Sequence, residues 1–156
     1  MERQAENTRG RLLALDVGEK RIGVAVSDAL GILATPLTIL HHTRWEEDIR
    51  RVLDVAREEG VVGIVVGVPY YLDGSPSEQT RKVLRFVQRL RERTHLPVYE
   101  WNEALSTEEA RERLRDSRPR GRRPRDHVDA HAAAVILQDF LEAQRRTPVR
   151  QEEHVR

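Results

Sequence analysis

Three carboxylates stand where the pattern of the chain gives them chemistry to do. Asp16 nearly closes the apolar run Leu12-Leu-Ala-Leu-Asp-Val17, and Gly18 behind it permits a tight turn and the close approach of a ligand. Glu103 follows a second short run in Trp101-Asn102-Glu103. Asp129 heads a helical stripe, since Asp129, Ala132, Ala133, Ile136, Leu137, Phe140 and Leu141 recur at i, i+3, i+4, i+7, i+8, i+11 and i+12. A carboxylate on a buried stripe costs several kcal/mol unless it is paired or holds a cation. Singly, Asp16 could cap a turn, Glu103 could be a surface acid and Asp129 could merely begin a helix. Brought together they would repel one another, and a hard divalent cation, Mg²⁺ or Mn²⁺, is the simplest relief. Two such ions about 4 Å apart would clamp the attacking and leaving oxygens of a phosphodiester displacement.

The elements that must bring them together are legible as alternations of period. Leu12–Val17, Ile22–Ser27 and Ala34–Leu40 are short apolar runs with short links, which predicts three antiparallel, meandering strands. A helix is expected from Trp45 to Glu58, with Trp45, Ile49, Val52, Leu53 and Ala56 on one face. The nearly all-apolar Val61–Val68 reads as a strand buried on both faces. After Pro69-Tyr-Tyr-Leu-Asp-Gly-Ser-Pro76 come a helix over Ser77–Arg93, with Val83, Phe86, Val87 and Leu90 inward, and a fifth strand over Pro97–Trp101. Two helices, Ser106–Asp116 and Asp126–Ala143, finish the pattern. Strands joined through helices should be parallel, so the expectation is an α/β fold with a five-stranded mixed sheet, its first strand near the middle. Ligands then belong at the carboxyl ends of the parallel strands, where Asp16 and Glu103 meet.

Composition narrows the classes. The chain has 156 residues, 38% hydrophobic and 34% charged, enough for one modest core. Residues 1–10 read as a disordered polar tail, 11–144 as the domain and 145–156 as a second polar tail. The absence of cysteine excludes disulfides, a thiolate nucleophile and cysteine-rich zinc sites. No stretch of about 18 apolar residues occurs and the N-terminus lacks an apolar signal segment, so the expectation is a cytoplasmic protein with no membrane partner. Net charge is only +1, but of 27 basic residues all except Lys20 and Lys82 are Arg, whose planar fork matches phosphate. A GC-rich genome would give the same bias.

Four ordered segments resemble one family. They are Leu15-Asp16-Val17-Gly18-Glu-Lys20-Arg21-Ile22-Gly23-Val24-Ala-Val-Ser27-Asp28; Val66-Gly67-Val-Pro69 with Asp73-Gly74-Ser75; Trp101-Asn102-Glu103 with Leu105-Ser106-Thr107; and Val128-Asp129 with Ala132-Ala133 and Ile136-Leu137. Together, from about Leu12 to Leu141, they look like the YqgF/RuvX family, nucleases assigned to precursor 16S rRNA and also described as Holliday junction resolvases. The resemblance implies a ribonuclease H-like fold and a metal-dependent nuclease whose acidic triad maps onto Asp16, Glu103 and Asp129. The family usually has Asp-Glu-Arg where this chain has Asn102-Glu103-Ala104, which puts a secondary ligand or phosphate contact in doubt. Asp126 is similar to the first of two metal-binding aspartates in classical junction resolvases, but reads first as a helix N-cap.

Candidate nucleic-acid contacts surround this set. Ser117–Arg125 carries Arg118, Arg120, Arg122, Arg123 and Arg125 with two prolines and a glycine, a segment unable to pack and suited to gripping phosphates. Lys20 and Arg21, in the turn after Asp16, could hold a neighbouring phosphate, and Tyr70 or Tyr71 could stack a base or close the core. His127 and His131 have metal-ligand spacing but no third partner, Ser106-Thr-Glu-Glu109 fits a capping box, and His41-His42 is unassigned. Three functions compete: a nuclease acting on structured RNA or branched DNA, a single-domain actin-like nucleotide-binding protein, and an idle nucleic-acid-binding module. The actin-like reading lacks a second domain to wall in the nucleotide, and the intact triad argues against the idle one. The helices spend their apolar residues on the core, so a monomer or weak homodimer is expected, with 5′-end processing of pre-16S rRNA ranked above junction resolution.

Overall fold

In the computed structural model residues 10–105 and 125–146 are described, with the backbone alone for Leu105 and residues 125–129. Strand β1 (Leu12–Val17) divides its side chains between two apolar layers, Leu13, Leu15 and Val17 on one face and Leu12 and Ala14 on the other. Strand β2 (Arg21–Ser27) returns antiparallel, setting Gly23 opposite Asp16, and β3 (Ala34–His41) pairs with β2 as an edge. The β2–β3 register slips between Val24 and Ala25, where Pro36 sits on β3, the kind of edge irregularity that tolerates a residue without an N–H. Strands β4 (Gly63–Val68) and β5 (Val98–Asn102) are parallel to β1, and the sheet order is β3-β2-β1-β4-β5. The mixed sheet with a central first strand therefore forms as the link lengths dictate.

Helices α1 (Trp45–Glu59) and α2 (Glu78–Arg93) cover one face. Ile49, Val52, Ala56, Val83, Phe86 and Leu90 pack there against Leu13, Leu15, Ile64 and Val66, each large side chain adding about 1.5–3 kcal/mol by leaving water. Helix α1 stops at Gly60, whose φ of 65° is the left-handed conformation that ends helices cheaply in glycine. Ser77 caps α2: its Oγ accepts from the Thr80 N–H at 3.1 Å while Thr80 Oγ1 accepts from the Ser77 N–H at 2.8 Å. The Thr80 hydroxyl also donates to the Pro69 carbonyl, tying the start of α2 to the end of β4.

Helix α3 (Arg125–Arg146) lies on the opposite face, with Ala133, Ile136, Leu137, Phe140 and Leu141 of the stripe buried, Ala132 half-buried, and Ala134, Val135, Gln138 and Asp139 between them buried too. It begins at Arg125, so Asp126 is within its first turn and not a cap preceding it. The direction of α3 is fixed at its far end. Gln138, 1% exposed, accepts from the Ala34 N–H and donates to the Ile32 carbonyl, both at 3.0 Å, and Arg145 reaches the Gly31 carbonyl at 2.9 Å. These partners lie in the β2–β3 turn, beside the amino end of β1, so α3 begins at the carboxyl end of β1. The expected helix over Ser106–Asp116 lies outside the described residues.

Candidate functional site

Register places the site. Leu15 stands opposite Val66, which brings Gly67 alongside Asp16, and Gly67 in turn faces Trp101 of β5. By strand alternation Asp16 shares the α3 face with Leu12 and Ala14, as Gly67 does with Val65. Glu103 opens a 3₁₀ turn (Glu103–Leu105) directly after β5. Asn102 Oδ1 accepts from the Ala104 N–H at 2.9 Å, a turn that an aspartate could close equally, so Asn102 keeps the backbone geometry at Glu103. The Glu103 side chain folds back over β4: a methyl group at Gly67 would stand 2.7 Å from its Oε2 and 2.5 Å from Ile136 Cδ1 of α3. The bare backbone of Gly67 is thus the floor on which the Glu103 carboxylate rests, beside Asp16. Asp16 and Glu103 are both half-buried, and both make contacts with neighbouring groups.

The third acid comes from the helix. Asp129 lies in the first turns of α3, four residues before Ala133 and seven before Ile136, at the end of the helix that overlies the carboxyl end of β1. Its side chain, with those of Arg125, Asp126 and His127, lies outside the described residues, as do Arg118, Arg120, Arg122, Arg123 and the Ser106–Glu109 box in full. Among the described residues no group of three His, Asp or Glu is arranged for a metal ion. Lys20 is exposed in the β1–β2 turn, and Arg21 is half-buried opposite His41 at the start of β2. Tyr70 packs against the core, whereas Tyr71 is 59% exposed and Leu72 94% exposed at the end of β4.

Two features escaped the reading of the sequence. One is Gly67, which lies in a recognisable segment but whose need for no side chain depends on a contact with Glu103 across the sheet. The other is a buried cluster on the α1 face. Asp48 is 0% exposed and accepts from the Thr43 N–H at 3.1 Å and from Arg51 at 3.0 Å, while its other oxygen meets His42 Nδ1. Burial raises the Asp48 pKa, but the hydrogen bonds from His42, Thr43 and Arg51 outweigh it and hold the carboxyl below its ordinary value.

Residues 10–143 match the family model described as RuvX, Holliday junction resolvase. A protein of Syntrophus aciditrophicus is 44% identical over 133 residues, covering 85% of this chain and 89% of its own, and one of Desulforudis audaxviator is 40% identical over 135 residues, covering 86% and 96%. Both are named "Putative pre-16S rRNA nuclease". Among solved structures, the fold is similar to RuvC of Thermus thermophilus in complex with a Holliday junction substrate (TM-score 0.58, 18% identity, 87% of this chain and 96% of that one). It is also similar to a Fowlpox virus resolvase bound to junction DNA (TM-score 0.52, 9% identity, 85% and 97%). The architecture is that of the ribonuclease H-like fold.

Proposed function

The chain belongs to the RuvX family, and on that premise we propose that it is a divalent-metal-dependent nuclease using Asp16, Glu103 and Asp129 to hydrolyse phosphodiester bonds, with the 5′ end of pre-16S rRNA as substrate. The observation that carries the assignment is the Glu103 carboxylate laid over the bare backbone of Gly67, beside Asp16, at the end where α3 begins. Hard oxygen donors from three separate elements are the ligands that Mg²⁺ or Mn²⁺ takes. When bound, the metal would activate the attacking water and neutralise charge building on the phosphate. The protein's part is placement. Strand β1 and the turn after β5 hold Asp16 and Glu103 rigidly, Lys20 and Arg21 lie one turn further on to neutralise a neighbouring phosphate, and exposed Tyr71 offers a stacking surface for a base. Asp126 stands one turn before Asp129 as an auxiliary ligand, and the arginines from Arg118 to Arg125 grip the flanking backbone.

Asp16→Asn, Glu103→Gln and Asp129→Asn should each reduce cleavage of a labelled precursor by orders of magnitude while the protein stays folded, since removing a charge relieves repulsion as it removes a ligand. Activity should vanish with chelator and return with Mg²⁺ or Mn²⁺. Full cutting in EDTA, or by the triple variant, defeats the assignment.

One observation favours junction resolution as a second reading. The β2–β3 turn exposes Leu30 (80%), Ile32 and Leu33 (both 53%) while Gln138 and Arg145 hold it in place. This ordered apolar surface lies outside the helices whose apolar residues are spent on the core, and is material for the dimer that paired nicking requires.

A further inference from the structure

Consecutive residues of β1 point to opposite faces, so the site of Asp16 is backed by a second concavity on the far side of the sheet. Val17, Gly18 and Glu19 form its near wall, His42 and Trp45 one flank, and Gln79, Lys82, Arg85 and Arg89 of α2 the other, enclosing about 390 Å³. The flank at His42 is built rigidly. Buried Asp48 holds the ring through Nδ1, leaving Nε2 as the nitrogen available to a ligand, and Trp45 packs against the same ring with centroids 4.8 Å apart. Gln79 is anchored by donating to the Val17 carbonyl at 3.2 Å. Lys82, Arg85 and Arg89 lie at i, i+3 and i+7, one stripe along α2. Lys82 has Glu19 at 3.8 Å, but among the described residues Arg85 and Arg89 form no ion pair, whereas Arg50 and Arg57 of α1 are engaged by Glu47 and Asp54. The hollow does not end there. Trp45 and Arg89 also line a second one of about 420 Å³, where Arg44 and Arg93 stand with Glu46 and Glu92. The whole is a groove lined by five cations, Arg44, Lys82, Arg85, Arg89 and Arg93, against three carboxylates, Glu19, Glu46 and Glu92, so it is net positive and longer than a single small anion needs.

We propose that this groove on the α1–α2 face is a second binding site for the phosphodiester backbone of a nucleic-acid strand, occupied by nucleotides flanking the cleaved bond. The proposal rests on the nuclease reading for its substrate class. A strand leaving the acids at the end of β1 crosses the turn Gly18-Glu19-Lys20, where Lys20 is exposed, and descends on the other side of the sheet between His42 and α2. Arg85 and Arg89 supply charge to successive phosphates, and the Trp45 ring between the two hollows supplies an apolar surface for a sugar or base. Such contacts position the strand without reading sequence.

The test measures binding of a fluorescent single-stranded RNA of unrelated sequence, about 16 nucleotides long as for single-strand-binding folds, in EDTA so that nothing is cut. With about 0.7 of a counterion released per phosphate on a single strand, Arg85→Ala/Arg89→Ala should flatten the slope of log K against log salt by about 1.4. Arg50→Ala/Arg57→Ala, which removes two cations already paired, should leave the slope as it was. His42→Ala should weaken binding at fixed salt. Equal slopes in the wild type and the groove variant overturn the proposal, as does displacement of the RNA by micromolar inorganic phosphate, which would make the hollow a free-phosphate site. Hydrolysis is scored separately, with metal, in Asp16→Asn and Glu103→Gln. A protein that cuts through these acids but keeps its slope loses the groove and keeps the nuclease reading. One that loses slope in the groove variant yet hydrolyses no phosphodiester keeps the groove and loses the nuclease reading.

Discussion

Gly67→Ala adds one methyl group to the central part of the sheet, and the structure says what that methyl meets. Its Cβ would lie 2.5 Å from Ile136 Cδ1, 2.7 Å from Glu103 Oε2 and 3.1 Å from Ile136 Cγ1, so both side chains must move. The fold can absorb this, because the atoms struck are the far ends of flexible side chains and the backbone is spared. Overpacking of this kind costs about 1–3 kcal/mol, or a fall in Tm of about 2–12 °C at about 2–4 °C per kcal/mol for a domain of this size. Catalysis cannot absorb it, because the Glu103 carboxylate loses the floor that sets its position, and a misplacement of about 1 Å costs about 10²-fold. Two further variants separate the effects. Gly63→Ala, on the same strand and face, meets Leu12 at 3.0 Å and Tyr99 at 3.2 Å, so it should lower Tm and leave kcat/KM unchanged. Gly67→Ala/Ile136→Val removes the methyl that clashes with the new Cβ and should recover stability but not activity. The assay is cleavage of a labelled precursor RNA at saturating Mg²⁺, well below each variant's Tm. Wild-type kcat/KM in Gly67→Ala, or recovery of activity in the double variant, would refute the claim that Gly67 exists to seat Glu103.

Other outcomes follow from the charges. Replacing Arg120, Arg122 and Arg123 with Ala should weaken binding to unrelated sequences alike and flatten the salt dependence, and an unchanged slope would make that segment a solvated connector. Asp48→Asn should cost about 1–3 kcal/mol by urea unfolding at pH 7, since a buried acceptor bonded to His42, Thr43 and Arg51 is weakened. Because the folded Asp48 carboxyl titrates below its ordinary value near 3.9, its stabilisation is complete above that value and is lost as pH falls through the lower folded one. The wild type should therefore approach the stability of Asp48→Asn only in strong acid, and a constant gap down to pH 2 would contradict this. A monomer by light scattering, with unprocessed 5′ ends of ribosomal precursors in depleted cells, supports RNA processing; a tight dimer that nicks junctions in pairs, with precursor ends unchanged, supports resolution.

What the sequence could disclose was set by how local each signal is. Strand order was readable because links of three and six residues leave a meander no choice but to be antiparallel, and a helical crossover forces its strands parallel, so β1 had to be central. On α3 the 3.6 period found the buried residues from Ala133 to Leu141 only in part, because the helix is buried continuously from Ala133 to Glu142, and the side chain of Asp129 lies outside the described residues. The same rule, applied to α1, finds Asp48: Trp45, Asp48 and Val52 fall at i, i+3 and i+7 on one face, and an acid on that face demands partners. It was missed because Asp48 sits among Glu46, Glu47 and Asp54, where it looks like one more solvated charge, and because its partners His42 and Thr43 precede the helix, where no periodicity flags them. Gly67 lies beyond any local rule. Its lack of a side chain answers to Glu103, 36 positions away in sequence, and to Ile136 on a helix from the end of the chain, three elements whose encounter exists only once the sheet has closed. Residues that chemistry selects for type, such as the acids, announce themselves in sequence, whereas residues selected for making room do so only in three dimensions.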